Sequence, residues 1–462
     1  MKYNYFNFKE LADGRFFLTN DFGKYVAVSR EEFGLIARNS VSAESDLGRY
    51  LINNEMAYVD TDLDYSSQKR YLLRESKGFM GVATSLHIFV VTTACNMGCI
   101  YCQASGAERD GHIYMNQEAA ERAVGIALQS PAHYLTFEFQ GGEPLLNFET
   151  IKRIVLYSEK NKGTHEIDYN IVSNLTLLND EMLDFFSEHS VNISTSIDGP
   201  QPLHDANRPY RGGRGTFKDV ASAIEMIRSR GLCVGAIQTT TKRSLSHARE
   251  IVNAYAELGF DSIFVRPLTP LGVARAHWED VGYDAEEFVS FYRKVLDETI
   301  ALNNTQCFRE QHASILMDRI SGSPVNYMEL RSPCGAGVGQ LAYYPDGRVF
   351  TCDEGRMVHE MGDDAFCLGT VFENDYAELV GCGVCRATCA SSILETIPTC
   401  CDCAYQPYCG TCPVVNYATS QDVLEKEPRS YRCKLYSGIL DYLFEILLAD
   451  DERAATLRSW SN

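Results

Sequence analysis

Residues 86–102 read Leu86-His-Ile-Phe-Val-Val-Thr-Thr-Ala-Cys95-Asn-Met-Gly-Cys99-Ile-Tyr-Cys102. The first seven residues, Leu86–Thr92, are mostly apolar and β-branched, the pattern of a strand buried on both faces. Three cysteines follow at once. Downstream, further strands are predicted at Tyr134–Phe139, Glu166–Ser173, Val191–Ile197, Leu232–Gln238 and Asp261–Arg266. Amphipathic stretches such as Gln117–Gln129, Phe148–Lys160, Thr216–Arg230 and Ser246–Leu258 lie between them. Six strands alternating with helices over residues 80–325 predict an α/β fold, a parallel sheet wrapped by helices and either doubly wound or a barrel. In such folds chemistry collects where strands end, so the residues after each strand are the candidates.

The whole chain has 462 residues, 45% hydrophobic and 23% charged, which suits a globular protein with a sizeable core. Its formal charge, 42 − 62 = −20, disfavours nonspecific attraction to nucleic acid or an anionic membrane. The N-terminus lacks a charged-then-apolar signal pattern, and no run approaches the roughly 20 apolar residues of a membrane span. The expectation is a cytoplasmic protein with neither nucleic-acid nor membrane partners. Seventeen cysteines are an odd number, and a reducing cytosol does not favour disulfides. They bunch: after Cys95, Cys99 and Cys102, twelve of the other fourteen fall between Cys334 and Cys433. Bunching predicts metal, whereas Cys233, inside an apolar strand, reads as core packing.

Two further units flank the alternating region. Residues 1–75 comprise a small unit and a linker. The unit has strands at Arg15–Thr19 and Lys24–Ser29 joined by a turn at Asn20–Gly23, helices at Glu31–Ala37 and Glu44–Asn53, and a closing strand at Met56–Val59. It reads as a cap or as a winged-helix-like platform whose exposed strand edge accepts a peptide. A polar linker spans Asp62–Gly78. From about Asn326 to residue 462 the alternation stops, Gly, Cys and Pro become frequent, and a helix is predicted at Tyr436–Leu448. This region has too few periodic apolar residues for a large core, so metal sites are expected to hold it together.

Three thiolates as close as Cys95, Cys99 and Cys102 do not complete a tetrahedral zinc site alone. They can ligate three irons of a [4Fe–4S] cluster and leave the fourth open, or form a zinc site with a distant fourth ligand. C-x3-C-x2-C after the first strand of a βα array, with the aromatic Tyr101 before the third cysteine, resembles the radical S-adenosylmethionine (radical SAM) superfamily, whose fold is a partial (β/α)6 barrel. In that family the open iron binds the amino and carboxylate groups of S-adenosylmethionine, and electron transfer cleaves a C–S bond to give a 5′-deoxyadenosyl radical. Gly141-Gly142-Glu143-Pro144, after the second strand, is similar to the family's GGEP motif. The resemblance implies close backbone approach of the glycines to the methionine amino group, which Glu143 accepts from. Asn174 ends the third strand. Ser194-Thr-Ser196-Ile-Asp198 is similar to the family's segment near the ribose, and Arg208 of Asn207-Arg208 matches an arginine that pairs with the cofactor carboxylate.

The later cysteines resemble the SPASM extension of peptide-modifying members. Cys334, Gly347 and Cys352 fit its opening pattern. Cys400-x2-Cys403-x5-Cys409-x2-Cys412 and Cys433 fit the rest, with x2 before Cys412 where the family usually has x3. The resemblance implies one auxiliary [4Fe–4S] cluster on Cys400, Cys403, Cys409 and Cys433, and another on Cys334, Cys352 and Cys412, making three clusters with the catalytic one. For the second auxiliary cluster, Cys307 or one of Cys382, Cys385 and Cys389 supplies the fourth ligand, or the iron stays open for substrate. Cys401 beside Cys400 leaves the register open. Asp353 occupies the position of an acid that removes a substrate proton in sulfatase-maturing relatives; a turn cap is the other reading. His87, His133 and His204 read as packing or surface residues.

A finer resemblance runs through Thr84–Thr92, Phe139–Asn147, Asp346-Gly347, Asp353–Met357 and Ala404–Gly410, which look like the maturases of His-Xaa-Ser type peptide systems. It implies a ribosomal precursor peptide as substrate, an oxidative side-chain crosslink as product, and an external electron donor such as flavodoxin or ferredoxin. The alternatives are a sulfatase-maturase-like enzyme oxidising Cys or Ser to formylglycine, and a non-enzymatic iron–sulfur or zinc module.

Overall fold

The computed structural model describes residues 1–59, 70–71, 74, 77–104, 111–323, 325–425 and 430–461. Most of the expected Asp62–Gly78 linker lies outside them.

The N-terminal unit starts two strands earlier than expected. Its sheet is antiparallel, β2 (Phe6–Glu10), β3 (Phe16–Asn20) and β4 (Tyr25–Val28) in that order, while β1 (Lys2–Tyr3) pairs with β5 (Ala57–Tyr58). Asn20 closes the β3–β4 turn by accepting from the backbone N–H groups of Phe22 and Lys24. Ser29 and Glu32 form a reciprocal cap on the helix Arg30–Ala37, and Ser45 caps the helix Asp46–Asn53. Alternate residues of β3 serve two cores. Phe16 and Leu18 pack with Val26, Val28, Ile36 and Leu51 inside the unit. Phe17 points the other way, onto Tyr405 and Phe444. The unit is therefore docked on the C-terminal region.

The main sheet has ten strands among the described residues. Their order is β12 (Arg309–Glu310), β11 (Ser262–Arg266), β10 (Val234–Thr239), β9 (Asn192–Ser196), β8 (Glu166–Val172), β7 (Tyr134–Gly141), β6 (Leu86–Thr92), β13 (Gln340–Tyr343), β14 (Arg348–Phe350) and β15 (Cys367–Thr370). Pairing is parallel from β12 through β6 to β13, then antiparallel to β14 and β15. The first strand of the array is thus internal, flanked by β7 and by a strand from the cysteine-rich region. The alternation does stop near Asn326, but the sheet does not. The expectation of a poor C-terminal core also fails: Leu341, Tyr343, Tyr344, Val349 and Phe350 are fully buried, and the helix Tyr431–Ala449 buries Leu435, Ile439, Leu440, Leu443 and Phe444. That helix meets the helix Ala285–Leu302 closely enough that a Cβ on Gly438 would lie 2.5 Å from Val289. Cys233 is exposed beside the start of β10, and so is not core. No helix among the described residues is long and apolar enough to cross a membrane.

Candidate functional site

The loop carrying Cys95, Cys99 and Cys102 leaves β6 and is clamped on two sides. Gly98 and Ile100 donate backbone hydrogen bonds to Pro209 and Asn207, so the Asn207-Arg208 segment runs alongside the cysteines. On the other side, Gly142 and Glu143 donate to the carbonyls of Thr92 and Ala94. A Cβ on Gly141 would fall 2.2 Å from the Thr92 oxygen, and one on Gly142 2.3 Å from that of Ala94. The close approach these glycines permit is to the chain itself. Glu143 is fully buried: it accepts from Leu145 N–H, Ser173 hydroxyl and Asn174 N–H, the first of which caps the turn that Pro144 begins. The Asn174 amide donates to Asn96 and lies 3.9 Å from Cys95 Sγ. These residues hold the loop in shape.

A buried polar chain lies beneath it. Tyr101 donates to Asp198 (2.8 Å), Arg208 Nη1 donates to Tyr101 (2.7 Å), and Asn207 donates to the other Asp198 oxygen (3.0 Å). Burial, opposed by Arg208, raises the Asp198 carboxyl to about 6. Asp198 is fully buried and spent on these partners. Ser194 and Ser196 instead line a cavity of about 870 Å³ inside the curved sheet, together with Glu138, Gln140, Arg266 and Asp353. Asp353 begins the helix Asp353–Glu360 and is held by Arg356 Nε at 2.7 Å. Arg356 also donates to the carbonyl of Ala104, two residues beyond Cys102, which ties this acid to the first cysteine loop. Glu329 lies across the same cavity. Burial alone would raise it, but Arg266 and Arg432 hold it down at about 2.

The cysteines form separate groups. Cys95, Cys99 and Cys102 perturb one another, as do Cys334, Cys352 and Cys412. Cys400, Cys403, Cys409 and Cys433 line one narrow cavity, whereas Cys401 faces a different one. Among the described residues no three His, Cys, Asp or Glu side chains close on a single ion. Thiols arranged around a space suit a multi-iron cluster, whose irons sit between its ligands. Burial pushes the Cys95 and Cys99 thiols up to about 11 and 12, a cost that the positive charge of a bound metal would offset. Each group also has an arginine whose Nε is buried without a partner among the described residues: Arg208 beside Cys95 and Cys99, Arg331 beside Cys334, and Arg319 beside Cys409. An unpaired buried donor is costly, and an acceptor on an anionic cluster, or on an anion bound to that cluster, would supply what each of these three lacks. All three groups fit iron–sulfur clusters.

Residues 89–242 match the family model of the Radical SAM superfamily. The chain carries a radical SAM domain. It is 31% identical over 183 residues to an uncharacterised protein of Methanocaldococcus jannaschii, covering 40% of this chain and 62% of that protein's length. Over 282 residues it is 26% identical to the cysteine-type anaerobic sulfatase-maturating enzyme of Clostridium perfringens, covering 58% and 74% respectively. The structure of anSMEcpe with bound AdoMet superposes with a TM-score of 0.68 at 21% identity, covering 79% of this chain and 99% of that one. Streptococcus suis SuiB bound to precursor peptide SuiA superposes at 0.55 and 13% identity, covering 92% and 98%. At these identities the two structures establish a shared fold.

The structure gathers several of the expected site residues around the first cysteine loop. Gly141, Gly142, Glu143 and Asp198, read as cofactor contacts, face the chain's own backbone and side chains in the structure. Arg208 keeps a spare donor, Nε, beside the cysteines. Arg319 and Arg331 escaped notice because a lone arginine carries no motif; their buried Nε atoms mark them. Arg356 lay within the Asp353–Met357 resemblance but was given no role of its own. His87 and His204 are buried and His133 is exposed, all outside the cysteine groups.

Proposed function

We propose that this protein is a radical SAM maturase of a ribosomally synthesised precursor peptide, introducing an oxidative side-chain crosslink in the 870 Å³ cavity. Cys95, Cys99 and Cys102 would hold the catalytic cluster, and Arg208 Nε would face the S-adenosylmethionine carboxylate. Together the two cofactors supply one-electron hydrogen abstraction from an unactivated carbon. An external donor such as flavodoxin or ferredoxin would supply the electron, and the two later cysteine groups would carry away the one left after crosslinking. Asp353, oriented by Arg356, would take the proton released in the cavity.

The observation that carries this reading is the edge of β4, which pairs with β3 alone among the described residues. That edge borders a groove of about 460 Å³ lined by Tyr25, Ala27, Tyr50, Asn54 and the apolar Ile320 and Leu447. An added strand would gain main-chain hydrogen bonds from β4 while alternate side chains enter the groove. The likeness to SuiB, which takes in 92% of this chain against 79% for anSMEcpe, supports the same reading. A second reading, formylglycine formation, is favoured by the identity to the Clostridium perfringens sulfatase-maturating enzyme.

Incubating the reconstituted protein with candidate precursor peptides and S-adenosylmethionine separates the two. A crosslink leaves the peptide two hydrogens lighter and unreactive toward hydrazide, whereas formylglycine is captured by hydrazide. Ala27→Asp should weaken peptide binding about tenfold while leaving peptide-free S-adenosylmethionine cleavage unchanged. Equal binding by the variant would remove β4 as the docking edge.

A further inference from the structure

The group of Cys334, Cys352 and Cys412 is one thiol short of a fully ligated [4Fe–4S] cluster. Of the seven cysteines outside the three groups, Cys307, Cys382, Cys385 and Cys389 are the candidates named from the sequence. Cys307 is exposed on the turn before β12, the edge strand at the opposite end of the sheet order from β15. Cys382 caps the helix Gly383–Ala390 and accepts from the backbone N–H of Cys385. Cys385 is buried in the main core, seated against Gly337, where a Cβ would lie 2.7 Å from its sulfur. It interacts with Cys382 and Cys389.

Cys389 is placed differently. The backbone N–H of Cys334 donates to Ser392 Oγ (3.0 Å), and Ser392 Oγ donates to the carbonyl of Cys389 (2.8 Å). Two residues on either side, Leu394 N–H donates to Ser332 Oγ (2.9 Å), so segments 332–334 and 389–394 are stitched together. The Arg331 guanidinium acts electrostatically on both Cys334 and Cys389, and its Nε is the buried donor left without a partner at this group.

We infer that Cys389 is the fourth protein ligand of this group, which leaves no iron open to substrate. The inference rests on the reading of Cys334, Cys352 and Cys412 as cluster ligands. A closed cluster passes electrons and does not anchor a peptide thiol, so substrate recognition falls to the cavity and the N-terminal unit.

The test uses the full chain carrying Cys95→Ala, Cys99→Ala and Cys102→Ala, so that only the later groups load iron. Cyanide, which binds an open iron, should leave the electron paramagnetic resonance spectrum of the reduced protein unchanged. Adding Cys389→Ala should make the spectrum shift with cyanide, and adding Cys385→Ala should not. A cyanide shift before Cys389 is altered, or one produced by Cys385→Ala instead, overturns the assignment alone. Absence of iron from the Cys334 group overturns the cluster reading with it. Alkylation of the unsubstituted protein gives a check independent of variant folding: with iron bound, Cys389 should lose the labelling by iodoacetamide that it shows after iron is stripped, while Cys307 reacts in both states. Equal labelling of Cys389 in the two states overturns the inference.

Discussion

Tyr101 donates its hydroxyl hydrogen to the buried carboxylate of Asp198 at 2.8 Å, joining the cysteine loop to the segment that follows β9. The same oxygen accepts from Arg208, so one phenol orders an acid and a base. Tyr101→Phe leaves both short of a partner. The expected cost is about 1–3 kcal/mol, the range for unpairing buried polar groups, read as a lower denaturation midpoint in the iron-free protein. An unchanged midpoint would show that the pair does not support the loop.

Gly142 has no room for a side chain, because the Ala94 carbonyl would sit 2.3 Å from its Cβ. Gly142→Ala must displace the backbone leading into Cys95. The variant should be insoluble, or lose about 3 kcal/mol or more together with the iron of that loop. Gly212→Ala, at a position with nothing within 4 Å, is the control and should be neutral. Equal behaviour of the two variants would contradict the steric account.

Asn7 on β2 donates to the carbonyls of Cys401 and Cys403, at 3.1 and 3.2 Å. Asn7→Ala removes both donors from a loop whose shape aims Cys400 and Cys403 at their shared cavity. With a chelator present, this variant should release about 4 of its roughly 12 irons faster than the unsubstituted protein. Release of all the iron at the unsubstituted rate would mean that the N-terminal sheet does not brace that site.

His204 is buried and neutral: its Nδ1 accepts from Asp198 N–H, and burial holds it down at about 3 against 6.5 for an exposed imidazole. The unfolded chain takes up a proton below pH 6.5 that the folded chain refuses. The stability His204 contributes is therefore present above pH 6.5 and declines as pH falls toward 3. His204→Asn lacks this titration. The advantage of the unsubstituted protein over the variant should shrink by about 1.4 kcal/mol per pH unit below 6.5. Denaturation curves of the two proteins at pH 7.5, 5.5 and 4.5 measure it, and a constant difference would refute it.

The alternating region was legible because each of its strands is long enough to show a pattern and is paired with a helix nearby in sequence. Leu86–Thr92 was read with the bounds it has in the structure. The strands β13, β14 and β15 span only three or four residues each, in a Gly- and Cys-rich stretch without periodicity. Nothing local marks Gln340 as a partner of Leu86. The proposed grouping of the later cysteines was legible only through the resemblance to the SPASM pattern. The choice between Cys400 and Cys401 was not legible, since neighbouring thiols differ only in which side of the chain they leave. The partners of Glu143 and Asp198 were not legible for a related reason: a motif tells which residues gather at a strand end but not which neighbours they bond within the chain.

The pairing of β6 with β13, and the seating of Phe17 on Tyr405 and Phe444, set an order of events during synthesis. A chain emerging from the ribosome exposes β6 with one edge unsatisfied until residues 340–343 appear, and the N-terminal hairpin waits longer still for its seat. Such late closure favours holding nascent chains apart, because an open strand edge invites pairing with another copy. Truncations after residue 325 should accordingly aggregate rather than yield an isolated barrel.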